Sequence, residues 1–297
     1  IVVANATSST TFSIDTIDQL NTLAPETLYN LMPPQDAFYM FRWRDRICLL
    51  DFRTDATKQS YVQYSGLEAV YVGVSQEAYP PLNLLMVAAK GDKARSGVET
   101  PGGGLVLGEA DSYLIRGELS DKTVGPDNPE AITESVQPLN WSIGTRSPYS
   151  VASTPFGVIW VDQNKRIQLW NYAVFPVEMG LPIRSDLIDI LDTDPERNRV
   201  VGTWFQHGKT GGHYAMVGYT NDTLSASKMF IVTLYRDPEG GELKSACAVS
   251  SIGGNCVITA IVNGRGRCFI GGSGALREVL DLTIEGAGWL NDQLRFF

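Results

Sequence analysis

Histidine is nearly absent from this chain, at two of 297 residues, and cysteine is scarce at four. Two imidazoles leave general-base chemistry little to work with. The cysteines, Cys48, Cys247, Cys256 and Cys268, form no C-x-x-C pair. They are too few for a disulfide scaffold and too irregular for a zinc site of four good ligands. Cys256 in "NCVITAIV" and Cys268 in "RCFIGG" read as small apolar strand residues, and free thiols fit assembly inside a cell. Long apolar runs are also missing: none reaches the roughly eighteen residues that a membrane-spanning helix requires, so no membrane association is expected. Positive charge is in deficit, with 24 Lys and Arg against 33 Asp and Glu for a net −9. That argues against non-specific binding to phosphate backbones, which depends on a basic field. The opening "IVVANATSSTTF" has neither the basic start nor the apolar core of a signal peptide, so no targeting segment is expected there.

Helix signals are few as well. The best is "SDLIDILDTD", where Ser185 is a candidate cap and Leu187, Ile188, Ile190 and Leu191 form a short apolar stripe before Pro195. What fills the chain instead is a succession of short β-runs divided by Gly, Pro, Asn or Asp, among them "AFYMFRW", "RICLLDF", "AVYVGV", "GLVLGE", "SYLIRGEL", "FGVIWVD", "RIQLW", "YAMVGY" and "KMFIVTLY". Several neighbours read as hairpins. The unbroken apolar run Val158 to Val161 turns through Asp162 to Arg166 and returns through Ile167 and Leu169, as suits strands covered on both faces. Asn263–Gly264 is an Asn-Gly hairpin signal. Spacing groups the runs into units near 37–79, 84–140, 144–183, 199–249 and 250–282. The expected fold is therefore all-β: a β-propeller of about five or more small antiparallel blades, with a double β-sandwich as the alternative. Residues 1–36 hold few strands and read as an N-terminal arm or closing segment, with the propeller domain spanning 37–297. The charged, glycine-rich stretch from Lys90 to Gly104 reads as a long exposed loop.

Motifs with chemistry are sparse. "GTWFQHGKTGGHYAMVGY", residues 202–219, contains a Gly-Lys-Thr, but five residues rather than four separate Gly202 from Gly208. A strand rather than a helix follows, so the phosphate-loop geometry is not met. His207 and His213 flank the loop and would sit opposite one another in a hairpin. With no third ligand nearby they read as exposed rim histidines rather than a metal site, and His207, Lys209 and His213 form a candidate contact loop. "GGSGA" at 271–275 lacks the last glycine of a nucleophile elbow. No catalytic residue, cofactor or metal is expected, although the 33 carboxylates leave a glycosidase pair open. The six tryptophans are expected mostly in the core, and exposed indoles would point instead to a sugar platform.

The central third carries a longer phrase, "GGLVLGEADSYLIRGEL" followed after a spacer by "SIGTRSPYSVASTPFGVIWVDQNKRIQLWNYAVFPVEMGLPIRSDLIDIL". Gly144, Ser147, Pro148, Ser150, Thr154, Pro155, Gly157, Val158 and Trp160 stand at its key positions. In these residues the chain resembles the propeller-forming tail proteins of tailed bacteriophages, of the short-tailed phage nozzle and head-closure stabilisation type. The likeness covers about residues 104–235. It implies a non-enzymatic virion structural protein, assembled in the host cytoplasm and held in the tail or neck by contacts with neighbouring tail proteins. It also implies a cyclic homo-oligomer through which DNA passes without specific binding. The positions are scaffold types: Gly144 and Gly157 for turns, Pro148 for a stiff entry, Trp160 for burial between sheets. The rival expectation is a carbohydrate-binding or glycan-processing propeller serving host recognition.

Overall fold

Alternation of apolar and polar side chains along short runs, broken by residues that tolerate turns, produces sheets that are small and antiparallel. A computed structural model describes residues 36–66, 79, 83–88, 91–117, 119, 135–191, 200–207, 211–218, 227–250, 254–272 and 275–279, with short strands near the two ends of the chain. Near the N-terminus β1 (Val2–Asn5) pairs with β2 (Ser8–Thr11). The first sheet is a meander of β3 (Ala37–Trp43), β4 (Arg46–Phe52), β5 (Tyr61–Tyr64) and β6 (Leu84–Met86). The second runs through β7 (Ala94–Thr100), β8 (Gly103–Gly108), β9 (Ser112–Arg116) and β10 (Ser135–Pro138). The third comprises β11 (Ala152–Thr154), β12 (Gly157–Val161), β13 (Ile167–Trp170) and β14 (Val177–Glu178).

A helix, α1 (Arg184–Leu191), leads to the fourth sheet. This contains β15 (Val200–His207), β16 (Gly211–Gly218), β17 (Lys228–Arg236) and β18 (Leu243–Ser250), with β22 (Arg295–Phe296) added at the β18 edge. The fifth has three strands, β19 (Cys256–Val262), β20 (Arg265–Gly272) and β21 (Ala275–Val279). The chain is thus all-β with five small antiparallel sheets in the expected order, except that β6, expected at the start of the second unit, joins the first sheet, and no sheet closes on itself among the described residues. The strand expected at "AVYVGV" lies outside them.

Each sheet packs on the next. The leading strand β7 lies against β3, β11 against β7, β15 against β11 and β19 against β15. Four apolar clusters fill the four junctions in chain order: Phe41, Leu50 and Ile115; Leu105, Leu107 and Trp160; Ile159, Leu169 and Phe230; Phe205, Val217 and Ile270. The alternation in β12 explains why "GVIWV" is apolar throughout. Val158 and Trp160 enter the core shared with the second sheet, while Ile159 and Val161 enter the one shared with the fourth. The Asn263–Gly264 hairpin forms as its sequence predicts, with φ of 52° and 73°, the positive pair that a type I′ turn requires.

One expectation fails here. The stretch expected as an exposed loop from Lys90 to Gly104 is instead largely a hairpin over its described residues, because "ARSGVET" forms β7 and pairs with β8. Charge disguised this strand: Arg95 is spent on ion pairs inside the molecule rather than on water. Helix α1 begins at Arg184, with Leu187 and Ile190 buried against the third and fourth sheets. No helix among the described residues is long and apolar enough to cross a membrane.

Candidate functional site

The phrase Gly144 to Trp160 builds a joint. A 3-10 turn at Pro148–Ser150, with Pro148 at its start, follows an extended entry. Thr145 N–H donates to the Gly108 carbonyl (2.7 Å) and Ser96 Oγ donates to the Pro148 carbonyl (3.1 Å), which ties the segment to the second sheet. Ser150 Oγ accepts from Val161 N–H (3.0 Å), Thr145 Oγ1 donates to the Val161 carbonyl (2.7 Å), and Trp160 Nε1 donates to the Gly144 carbonyl (3.2 Å). These bonds hold the third sheet. The buried Tyr214 hydroxyl of the fourth sheet donates to the Ser150 carbonyl at 2.5 Å, and burial pushes its pKa far up, so it remains a donor. A Cβ on Gly144 would lie 2.3 Å from the Gly108 carbonyl oxygen, so only glycine lets the two backbones meet.

Thr154 to Gly157 make the β11–β12 turn. Thr154 Oγ1 donates to the Gly157 carbonyl (2.8 Å) and accepts from Phe156 N–H (3.0 Å), with Pro155 exposed at the tip. Gly157 has φ 134°, and a Cβ there would stand 2.0 Å from the Trp170 carbonyl oxygen. Ser147 is fully buried and its carbonyl accepts from Ser150 Oγ (2.7 Å). Gly144, Thr145, Pro148, Ser150 and Trp160 therefore converge on one joint across three sheets, while Thr154 and Gly157 serve the turn within the third sheet.

A second cluster has no motif to announce it. Asp51 of β4, 3% exposed, receives two hydrogen bonds from Arg53 (2.9 and 2.7 Å) and one from Arg95 of β7 (2.8 Å). Arg95 reaches on to Glu109 (3.0 Å), which also holds Arg146 (2.9 Å). This ladder of alternating charge clamps the first two sheets and the joint together. Burial opposes ionisation of Glu109, but the hydrogen bond and charge of Arg95, with the charges of Arg146 and Lys93, outweigh it and hold its pKa below the ordinary value. Isolated charges inside the runs "LLDFR" and "KARSG" are the only signal sequence offered for this cluster.

Beside the ladder the leading strands of three sheets enclose an open cleft of about 590 Å³. Tyr39, Phe41 and Arg42 come from β3, Val98, Glu99 and Thr100 from β7, and Ser153 from β11. Gly97 makes room for the floor, since a Cβ there would fall 2.5 Å from the Phe41 ring. Glu99 accepts from the Arg44 backbone N–H at 3.2 Å. The arrangement offers an aromatic floor and one charge of each sign at the rim. No family model and no curated protein matches this chain.

The histidine loop differs from expectation in register and burial. Strand β16 starts at Gly211, so His207 pairs with Gly211 and His213 with Phe205, and the two histidines are not opposite one another. His213 is buried at 4% exposure, its Nδ1 lies 2.8 Å from Thr233 Oγ1 and its ring packs on Phe205. The reason is the alternation of β16, which points His213 to the same side as Ala215 and Val217, towards the fifth sheet. Lys209 lies outside the described residues. The glycines serve aromatic packing: a Cβ on Gly212 would meet the Trp204 ring at 2.3 Å, and one on Gly202 the Tyr214 hydroxyl at 2.3 Å. No cluster of three His, Cys, Asp or Glu residues able to hold a metal occurs among the described residues. Trp43, Trp160 and Trp170 are buried, Trp141 and Trp204 are half-buried and edge-on to other aromatics, and Trp289 lies outside the described residues. The described indoles pack inward and form no sugar platform.

Proposed function

We propose that the chain is a β-propeller-type structural subunit of a tailed-phage virion, placed in the tail or neck and working through protein contacts. The observation that carries this reading is the joint. Of the residues in which the chain resembles phage tail propellers, Gly144, Pro148, Ser150 and Trp160 are the ones whose backbone approaches and hydrogen bonds tie three successive sheets, while Ser147, Thr154 and Gly157 shape the turns beside them. A phrase devoted to holding sheets together belongs to a scaffold. The succession of leading strands from β3 to β19 is the arrangement that a radial set of blades uses. Partners are neighbouring tail or neck proteins and further copies in a cyclic assembly. A net charge of −9 repels DNA from the walls of such a ring and prevents sticking as it passes.

Co-expression with portal and tail proteins, should its neighbouring genes encode them, followed by co-purification and negative-stain imaging, tests the reading. A ring that joins a neck or tail complex is the expected result. A protein that binds none of them, and is missing from purified virions, overturns it.

A further inference from the structure

Five of the twelve large apolar side chains that stand exposed among the described residues fall between Tyr172 and Leu181, where the third sheet turns from β13 into β14 and leaves for α1. Val174, Phe175 and Leu181 are 75%, 61% and 66% exposed, and no residue from Asn171 to Val177 carries a charge. The loop is held in place. Trp170 Nε1 donates to the Ala173 carbonyl (2.8 Å) and Ala173 N–H donates to Asn171 Oδ1 (3.2 Å). Tyr172, with φ 65°, sets its ring edge-on to Trp170, which meets Trp141 in the same way. A loop already fixed loses little freedom on binding, and exposed aromatic rings among aliphatic side chains are what anchor a protein contact.

The chemistry beside the loop identifies its occupant. Glu178 of β14, next to Val177, lies between two arginines: Arg166 Nε is 4.0 Å from its Oε2 and Arg184 Nη1 is 3.9 Å from its Oε1. Both distances exceed hydrogen-bond reach. Arg166 Nε, Arg184 Nε and Glu178 Oε1 are buried with no hydrogen-bond partner among the described residues. One carboxylate for two guanidiniums leaves the trio with one positive charge in excess, on a chain of net −9. The side chains of Arg166 and Arg184 are still 43% and 33% exposed, so a second carboxylate can reach them from outside and complete the trio.

We infer that the Tyr172–Leu181 loop docks a segment of another protein that combines apolar side chains with a carboxylate. The apolar part covers Val174, Phe175 and Leu181, and the carboxylate joins Arg166 and Arg184. Phe175 and Glu178 are about 10 Å apart along the chain at the rise of a strand, so one short amphipathic segment spans both parts. The inference stands on this loop and its arginines, independently of the phage reading; in a virion subunit it names a surface that a neighbouring protein would cover.

Two synthetic helical peptides of about sixteen residues, long enough for that span, test it. They share a leucine stripe on a glutamine background, and one carries two glutamates where the other carries two lysines. By calorimetry the glutamate peptide should bind with a Kd below about 100 μM and the lysine peptide about tenfold more weakly. That is the reverse of the order that a net charge of −9 favours. V174S/F175S should weaken the glutamate peptide about tenfold, and R166Q about threefold while leaving the lysine peptide no weaker. E178Q, which removes the internal competitor for the two guanidiniums, should tighten the glutamate peptide. Unchanged melting by circular dichroism checks the fold of each variant. A glutamate peptide that does not bind, binds no better than its lysine counterpart, or binds V174S/F175S equally well overturns the inference. So does occupation of the loop by lipid, read as co-sedimentation with phosphatidylcholine vesicles that V174S/F175S abolishes. Occupation by a second copy, read by light scattering as a lower mass for V174S/F175S than for the unaltered protein, overturns it too. Binding of the glutamate peptide through the loop, by a protein that joins no tail complex, would remove the phage reading and leave this one standing.

Discussion

At the scale of single residues, space decides more than chemistry. Gly144 and Gly157 sit where a Cβ would be driven 2.3 and 2.0 Å from a carbonyl oxygen of the neighbouring backbone. We expect G144A and G157A each to lower unfolding free energy by about 1–3 kcal/mol, the cost typical of overpacking, measured by urea denaturation. A G264A substitution meets no steric neighbour and suffers only from its φ of 73°, so it should cost less than either. The thiols divide by burial. Desolvation pushes Cys48 and Cys268 up to about 12 and Cys247 up to about 11, the last despite an opposing hydrogen bond involving Ser245. A thiolate is the reactive form, so at pH 8 these three should resist a thiol reagent until the chain unfolds, while exposed Cys256 labels in the free subunit. Labelling of more than one cysteine in the native protein would contradict this.

At the scale of elements, the charge ladder explains how β7 accommodates a largely buried arginine. Arg95 has 14% of its side chain exposed and Asp51 3%, and breaking such a pair from one side leaves a buried charge without its counter-ion. R95M should destabilise by about 2–3 kcal/mol, at or below the low end of the range for broken buried pairs because Arg53 and Arg146 remain. Calorimetry of the variant checks it. The depressed carboxyl of Glu109 adds a pH dependence. Its contribution is fully present above the unfolded glutamate value of about 4.3 and is lost as pH falls through the lower folded value. Acid titration followed by fluorescence should therefore show E109Q to be the less stable protein at neutral pH but less sensitive to acid below pH about 4. Equal acid sensitivity in the two proteins would assign the ladder no role in the pH response.

At the scale of the whole molecule, five small sheets depend on their neighbours, because none has enough apolar surface to bury a core by itself. A chain ending at Ser250 would uncover Phe205, Val217, Met229 and Ile231, which the fifth sheet now covers. We expect that truncation to bind a hydrophobic dye strongly and to aggregate, whereas the full chain stays dispersed. A well-behaved, non-binding truncation would show that the fourth junction is dispensable.

Much of this architecture was legible in the residues alone. Alternation and turn chemistry located the units, "GVIWV" announced a strand buried on both faces, and Asn263–Gly264 announced its hairpin, because these signals are local and act through the backbone. Other features were not legible, for a physical reason. A charge inside a strand looks like a loop until its partner, 44 residues away in the case of Asp51 and Arg95, is in place. A histidine beside a turn looks exposed until register and a neighbouring sheet decide which way it points. Sequence count already rules out a phosphate cradle at Gly-Lys-Thr-Gly-Gly, but only the structure shows that Gly212 makes room for the Trp204 ring. Composition and period by themselves determined that the chain is all-β, divided into small sheets and poor in histidine and cysteine. The tertiary structure alone decided which charges are buried as a clamp and where the segment from Gly144 to Trp160 does its work, since both depend on contacts between residues far apart in sequence.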